Sequence, residues 1–171
     1  DAMLEYGKKY GATIALINGG SVRASLPKGQ ITQGDILQAF PFGNMIVLRR
    51  YTGKQIHEAL EHGVASEKAT GPTLLQPAGL KYVVDATKPA GKRIQKVWVL
   101  DEEGKEHPLE HSKTYLVMVL EYLARGGDFF PMLKGGDGTS PDPIDVDLFT
   151  QYINQHTPIK TIRTGRIIRV Q

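Results

Sequence analysis

Apolar side chains recur along this chain in short runs that glycine, proline and polar residues interrupt. Runs that are rich in β-branched and aromatic residues and bounded by turn residues are typical of sheet strands. The runs of this kind cover Ala12–Ile17, Met45–Tyr51, Leu80–Asp85, Ile94–Leu100, Thr114–Leu120 and Arg166–Val170. We therefore expect these six segments to form a sheet.

Other apolar residues recur at helical spacing. After Thr52 and Gly53, a helix is predicted whose apolar face carries the side chains Ile56, Ala59, Leu60 and Val64. A second helix is predicted from the same spacing of Ile144, Leu148, Phe149, Tyr152 and Ile153. Both segments should pack one face against the sheet.

Capping residues indicate where some helices begin. Asp142 is a candidate N-cap for the second helix, with Pro143 at its first helical position and Asp145 near the positive end of its dipole. A shorter helix is expected over Gln33–Phe40, capped by Thr32.

The strands and helices do not alternate strictly, which argues against a doubly wound parallel sheet. The prediction is an α+β fold, a single domain over residues 1–171 in which helices pack on a mixed β-sheet. Breaker residues make Gly135–Pro143 a candidate surface loop. The first residues resemble the end of a helix, with Gly11 as a candidate stop, so we expect the chain to have been cut from a longer protein.

Charge and composition exclude several classes of function. Lys and Arg outnumber Asp and Glu by only 21 to 18, and the two signs are interspersed, so the charge pattern does not favour nucleic-acid binding. There is no cysteine for a thiolate centre, and no apolar run approaches the roughly 20 residues of a membrane span.

Motifs for metal-dependent hydrolysis are missing from the sequence. His57 and His62 are five positions apart and would point to different helix faces, so neither belongs to a His-Glu-x-x-His zinc motif. No Asp-x-His segment, nucleophile elbow or phosphate-binding Walker loop occurs either. We expect no catalytic residue, metal site or cofactor in this domain.

The segment INGGSVR places two glycines and a serine directly after a predicted strand. Glycines allow a ligand to approach the main chain closely, while Asn18 and Arg23 supply directional donors. The segment is either a cradle for an anion or a ribose, or an ordinary turn that ends a strand.

Aromatic residues occur in two further glycine-containing segments. Phe42 stands in FPFGN, where it either offers a stacking surface to a planar ligand or folds back onto the core. In EYLARGGD, Tyr122 could supply a second aromatic face, and Asp128 has two acceptor oxygens that suit the hydroxyls of a ribose. Together these residue types suit a base, a sugar and a phosphate.

Four segments in series, INGGSVR, AFPFGN, TGKQIHEALE and YLARGGD, resemble the C-terminal domain of the 5'-nucleotidase and UDP-sugar hydrolase family, from about Ile14 to Gly165. The resemblance implies that this domain grips the nucleoside part of a nucleotide. Phe42 and Tyr122 correspond to the base-stacking aromatics, and Asp128 to the ribose-binding aspartate.

The resemblance implies further substrate contacts. Arg23, with Asn18 beside it, corresponds to an arginine directed at the phosphate or ribose, and Asn44 and Gly71 correspond to contacts near the base. The sequence departs from the family pattern in having Tyr122 where phenylalanine is common and Ser21 where we expect glycine. These changes bear on the shape of the site.

The family also implies a covalently linked partner. An N-terminal metallophosphoesterase domain, outside this sequence, is expected to carry two divalent metals such as zinc, manganese or magnesium. The whole protein would then hydrolyse nucleoside 5'-phosphates or UDP-sugars in the periplasm, at the cell surface or in secretions, and this domain alone would be inactive. Two alternatives are a stand-alone nucleotide-binding module and a single-stranded nucleic-acid binder.

Overall fold

A computed structural model describes residues 1–66, 68–138, 143–159 and 164–170 of the chain. The helices in these ranges are α1 (Ala2–Lys8), α2 (Gln33–Ala39), α3 (Gly53–Gly63), α4 (Glu121–Ala124) and α5 (Asp145–Gln155). The strands are β1 (Ile14–Asn18), β2 (Ile46–Thr52), β3 (Leu75–Ala78), β4 (Leu80–Asp85), β5 (Ile94–Leu100), β6 (Glu106–Pro108), β7 (Thr114–Leu120) and β8 (Ile167–Val170). None of the described helices combines the length and the apolar character that crossing a bilayer requires.

The described strands form two sheets of four strands each. The first sheet has the order β2-β7-β1-β3, in which β7 and β1 are parallel and the other pairs are antiparallel. The second has the order β6-β5-β4-β8, in which only β4 and β8 are parallel. The predicted α+β class with mixed pairing and packed helices is confirmed, although the strands divide between two sheets.

The core lies between the first sheet and the helices. Strands β1 and β7 are the inner strands of this sheet, and most of their side chains are buried. Helix α3 begins with a capping box between Thr52 and Gln55 and buries Ile56, Ala59 and Leu60. It contacts β2 of the first sheet and β5 of the second, so its apolar face joins the two sheets in one core.

A buried carboxylate fixes α3 against the second sheet. Glu61 accepts hydrogen bonds from the backbone N–H groups of Arg93 at 3.1 Å and of Ile94 at 2.8 Å. The Arg93 guanidinium in turn donates to backbone carbonyls, among them that of Val64 at 2.6 Å. These bonds satisfy polar groups at the start of β5 that would otherwise be buried without partners.

One glycine connects the two sheets. Gly79 lies between β3 and β4, with a φ of +68°, and a Cβ atom built on it would lie 2.1 Å from the carbonyl oxygen of Thr13. A side chain is excluded both by this contact and by the left-handed backbone conformation. The chain can therefore pass from one sheet to the other in a single residue.

Most predicted elements agree with the structure. The strands over Leu80–Asp85, Ile94–Leu100 and Thr114–Leu120 have the predicted limits, and the other three agree to within two residues at each end. The two strands that the sequence analysis missed, β3 and β6, are edge strands. Strand β3 contains Pro77, which is tolerated because an edge strand needs fewer N–H donors than an inner strand. All three residues of β6 are exposed. Neither segment therefore has the apolar pattern of a strand.

The helix predictions were less accurate at one terminus. Thr32 caps α2 as predicted, in a capping box with Asp35. The placement of Pro143 at the first position of α5 was wrong, because its carbonyl accepts a hydrogen bond from Ile46 and the helix begins at Asp145. The candidate cap Asp142 lies outside the described residues, as does part of the loop predicted over Gly135–Pro143.

Candidate functional site

Four separate loops meet at one end of the first sheet. Because β1 and β7 are parallel neighbours, the segments that follow Asn18 and Leu120 lie at the same end. Strands β2 and β3 run antiparallel to these two, so the segments that precede Ile46 and Leu75 lie there as well. The topology therefore brings together the glycine turn, the Phe42 loop, the Gly71 loop and the segment from Tyr122 to Asp128.

Asp128 is held in place by side chains from two of these loops. Asn18 donates its amide Nδ2 to Oδ2 of Asp128 at 2.7 Å, and the Tyr122 hydroxyl donates to Oδ1 at 2.7 Å. The backbone of Asp128 is left-handed, with φ +50°, and its carbonyl accepts a hydrogen bond from Nε2 of His62 at 2.8 Å. These contacts fix the Asp128 carboxylate and hold the residue in its left-handed backbone conformation. Strained backbone conformations of this kind are common at functional sites.

Tyr122 is both a hydrogen-bond donor and an exposed ring. The bond to the Asp128 carboxylate raises the pKa of the Tyr122 hydroxyl above its ordinary value. Gly127 lies directly against the ring, since a Cβ atom on this glycine would be 2.5 Å from Cζ of Tyr122. The side chain is nevertheless 45% exposed, so the ring has surface available for a ligand.

The glycine turn orients Asn18 and leaves little of its side chain free. Asn18 is only 2% exposed, and its Oδ1 accepts a hydrogen bond from the Ser21 hydroxyl at 2.5 Å. Because the amide carbonyl faces Ser21, the NH₂ group faces Asp128. Asn18, expected to contact substrate, also positions Asp128. Ser21 completes this chain of hydrogen bonds.

The two phenylalanines beside Pro41 have different environments. Phe40 is buried and stacks on Phe149 of α5 with the ring centroids 4.0 Å apart, whereas Phe42 is 58% exposed. Asn44, two residues further on, donates Nδ2 to Oδ2 of the buried Asp145 at 3.1 Å. The loop is thus anchored at both sides of Phe42, and the ring remains open to a ligand.

The predicted residues surround one cavity of about 360 Å³. Its lining consists of Asn18, Gly20, Ser21, Arg23, Phe42, Asn44, Pro72, Tyr122 and Asp128. Gly71 does not line the cavity, but its neighbour Pro72 does, and the Pro72 carbonyl accepts a hydrogen bond from Gly20 at 2.8 Å. Six of the seven predicted residues are therefore brought together.

A larger cavity, of about 820 Å³, lies elsewhere in the molecule. Charged side chains of both signs, such as Lys81 and Glu106, line it, and no aromatic residue is among the lining residues that the structure describes. It lacks the combination of stacking surface and converging polar groups that defines small-molecule sites. We therefore assign the functional site to the smaller cavity.

Sequence reasoning missed three contributors to the site. Pro72 carries no polar side chain, and Ser21 was noted as part of the glycine turn and as a departure from the family pattern, without a role of its own. Asp145 was interpreted as a residue that favours a helix N-terminus, whereas its side chain is fully buried beside Asn44. No signal in the sequence pairs positions that are 101 residues apart.

The cavity combines groups that can bind a planar ligand carrying hydroxyl groups. Two exposed rings can stack on a planar group, the Asp128 carboxylate can accept from hydroxyls, and Arg23 is exposed at the rim. In the described part of the chain no group of three or more His, Cys, Asp or Glu side chains is arranged to hold a metal ion. The family resemblance assigns the metal pair to an N-terminal domain outside this sequence.

The fold and the site define a ligand-binding domain with an aromatic-walled cavity. The family model for the 5'-nucleotidase C-terminal domain matches residues 1–135. The chain belongs to this family.

Relatives and solved structures agree with this assignment. The chain is 34% identical over 158 residues to an apyrase of Aedes aegypti. The matched region covers 90% of this chain and 28% of that protein. It is 31% identical to a snake venom 5'-nucleotidase of Naja atra, over 91% of this chain and 31% of the relative. A crystal structure of a 5'-nucleotidase precursor from Thermus thermophilus matches all of this chain with a TM-score of 0.93 and 39% identity.

The matched region is a minor part of each of these proteins. The chain spans 34% of the Thermus protein and 11% of a trifunctional nucleotide phosphoesterase of Bacillus subtilis, to which it is 33% identical over 91% of its own length. Such proteins therefore contain this domain together with other regions. The activity of a whole protein does not transfer to the domain without further argument.

Proposed function

We propose that this chain is the nucleotide-recognition domain of a 5'-nucleotidase-type phosphohydrolase, and that it binds the base and ribose of the substrate. The observation that carries the proposal is the cavity in which Phe42, Tyr122, Asp128 and Arg23 converge from separate loops. Each residue type suits one part of a nucleotide, and the sheet topology accounts for their proximity.

In this proposal the two rings hold the base between them. Phe42 and Tyr122 are both exposed and line the same cavity, so a purine or pyrimidine can contact both. Asp128 accepts from the ribose hydroxyls, because each carboxylate oxygen has a second acceptor position beyond the bond it already makes. Arg23 lies at the rim, where it can reach a phosphate or the ribose.

For the whole protein we propose hydrolysis of nucleoside 5'-phosphates or UDP-sugars, with a linked N-terminal metallophosphoesterase domain that holds zinc, manganese or magnesium. Family membership and the nucleotidase relatives support this proposal. This domain would contribute by positioning the substrate, which can be worth several kcal/mol. A venom protein among the relatives supports a periplasmic, cell-surface or secreted location.

Binding of AMP provides the first test. We expect a dissociation constant of about 0.1–10 mM for the chain, because stacking contributes about 1–3 kcal/mol per base and immobilising the ligand opposes binding. Phe42→Ala and Tyr122→Ala should each weaken binding by about fivefold or more. NMR titration of wild type and both variants measures this, with Tyr10→Ala, an exposed tyrosine outside the cavity, as control.

The same titration separates the alternatives. Equal chemical-shift changes in the wild type and both cavity variants would reject the stacking assignment. A short oligonucleotide that binds more tightly than AMP, with affinity that falls steeply between two salt concentrations, would instead support a single-stranded nucleic-acid binder. Tight AMP binding, in the nanomolar range, would favour a stand-alone nucleotide-binding module.

A second prediction concerns activity. The chain alone, supplied with zinc, manganese or magnesium, should release no phosphate from AMP above the rate in buffer, because its described part offers no arrangement of ligands for a metal ion. A colorimetric phosphate assay measures the rate, and boiled protein serves as the control. Phosphate release that depends on the native protein would contradict the proposal that hydrolysis requires the linked N-terminal domain.

A further inference from the structure

A buried aspartate lies directly behind the cavity. The Asp145 side chain has no exposed surface, and its Oδ2 accepts a hydrogen bond from Nδ2 of Asn44 at 3.1 Å. The backbones of the two residues are also joined, since the Asp145 N–H donates to the Asn44 carbonyl at 2.9 Å. The Asn44 side chain is therefore held by a residue that does not itself line the cavity.

This contact determines which way the Asn44 amide faces. A carboxylate only accepts hydrogen bonds, so the amide must present its NH₂ group to Asp145 and its carbonyl in the other direction. Asp145 lies in the first turn of α5. Its Oδ1 accepts from the Val146 N–H at 2.7 Å, which fixes the carboxylate itself.

The carbonyl oxygen of the Asn44 side chain remains available to a ligand. No donor in the described part of the chain reaches this oxygen, and no buried side-chain oxygen there lacks a partner, so the atom is accessible. Asn44 lines the cavity beside Phe42, on which a planar ligand would lie. A ring stacked on Phe42 would therefore lie in the cavity that Asn44 also lines.

We propose that Asp145 is a positioning residue that sets the base preference of the site, by holding the Asn44 carbonyl toward the edge of the bound base. The inference rests on the proposed nucleotide-binding function and adds a substrate class to it. An acceptor that faces the substituent at C6 of a purine or C4 of a pyrimidine favours adenine and cytosine, which carry an amine at that position. Their keto counterparts, hypoxanthine and uracil, place an oxygen against an oxygen.

The wild-type chain tests the preference with two matched pairs of ligands. Adenosine and inosine differ at the amine or keto group of the purine, and cytidine and uridine differ in the same way in the pyrimidine. We expect about tenfold tighter binding of the amine-bearing member of each pair, the loss that one mismatched polar contact produces. NMR titration gives the four dissociation constants.

The Asp145→Asn variant tests the role of Asp145. An asparagine can donate or accept toward Asn44, so the Asn44 amide can turn over and the ratio within each pair should fall to within about twofold of one. Asp147→Asn is the matched control, because Asp147 lies in the same helical turn but is exposed and outside the cavity. Its ratios should equal those of the wild type.

A second variant keeps the test decisive if Asp145→Asn does not fold. Asn44→Ala removes the amide from a partly exposed position and should also bring both ratios to about one. If all four nucleosides bind the wild type equally, or if either variant retains the tenfold preference, this inference is overturned while the proposed function stands. If none of the four binds, both fall.

Discussion

The substitution Asp128→Asn is expected to weaken AMP binding by roughly 10- to 150-fold, the loss of about 1.5–3 kcal/mol for a charge-assisted hydrogen bond. Both oxygens of Asp128 already accept hydrogen bonds, from Asn18 and from Tyr122. Asparagine has one acceptor oxygen, so it cannot satisfy both partners and a ribose as well. Titration followed by NMR measures the change.

The choice of asparagine separates binding from folding. Asparagine tolerates the left-handed backbone at position 128, where φ is +50°, better than alanine does. The unfolding temperature should therefore change little, and the exposed residue Asp147, changed to asparagine, should leave both binding and stability unaltered. If the Asp128→Asn protein is folded and binds AMP within twofold of the wild-type affinity, Asp128 does not accept hydrogen bonds from the ribose.

The substitution Gly79→Ala is expected to destabilise the fold by about 3 kcal/mol or more. The left-handed conformation alone disfavours alanine by about 1–2 kcal/mol. In addition, the new Cβ would lie 2.1 Å from the backbone oxygen of Thr13, which cannot move without disturbing the start of β1. The unfolding midpoint should fall by about 6–12 °C for a chain of this size.

Gly91→Ala is the matched control for this prediction. Gly91 also has a positive φ, +85°, but a Cβ atom there would meet nothing within 4 Å. This variant should lose only the conformational part, about 1–2 kcal/mol. Equal unfolding midpoints for the two alanine variants, measured by circular dichroism, would show that the junction between the sheets has room that the structure does not indicate.

The fold was predictable where local pattern and tertiary structure agree. Strands such as Thr114–Leu120 are continuous apolar runs, and the capping residues Thr32 and Thr52 begin helices in the structure as their chemistry requires. The division into two sheets was not predictable, because it depends on a single junction at Gly79 and on edge strands with no apolar pattern.

The candidate site was predictable in most of the residues that line the cavity and not in the residues behind them. Phe42 and Asp128 stand in glycine-containing segments, and their residue types suit a base and a ribose. Asp145 has no such signal, since an acidic residue early in a helix has an ordinary explanation in the helix dipole. Only the three-dimensional contact with Asn44 reveals its second partner.

The parallel pairing of β1 with β7 has a consequence for how a ligand acts on the whole domain. The residues at the cavity come from positions as far apart as 110 residues, and they meet only when the first sheet is complete. A molecule that bridges them binds the native state and not the unfolded chain, so it stabilises the native state by an amount that grows with its concentration relative to Kd. Occupancy of the cavity therefore opposes global unfolding, and not merely the opening of one loop.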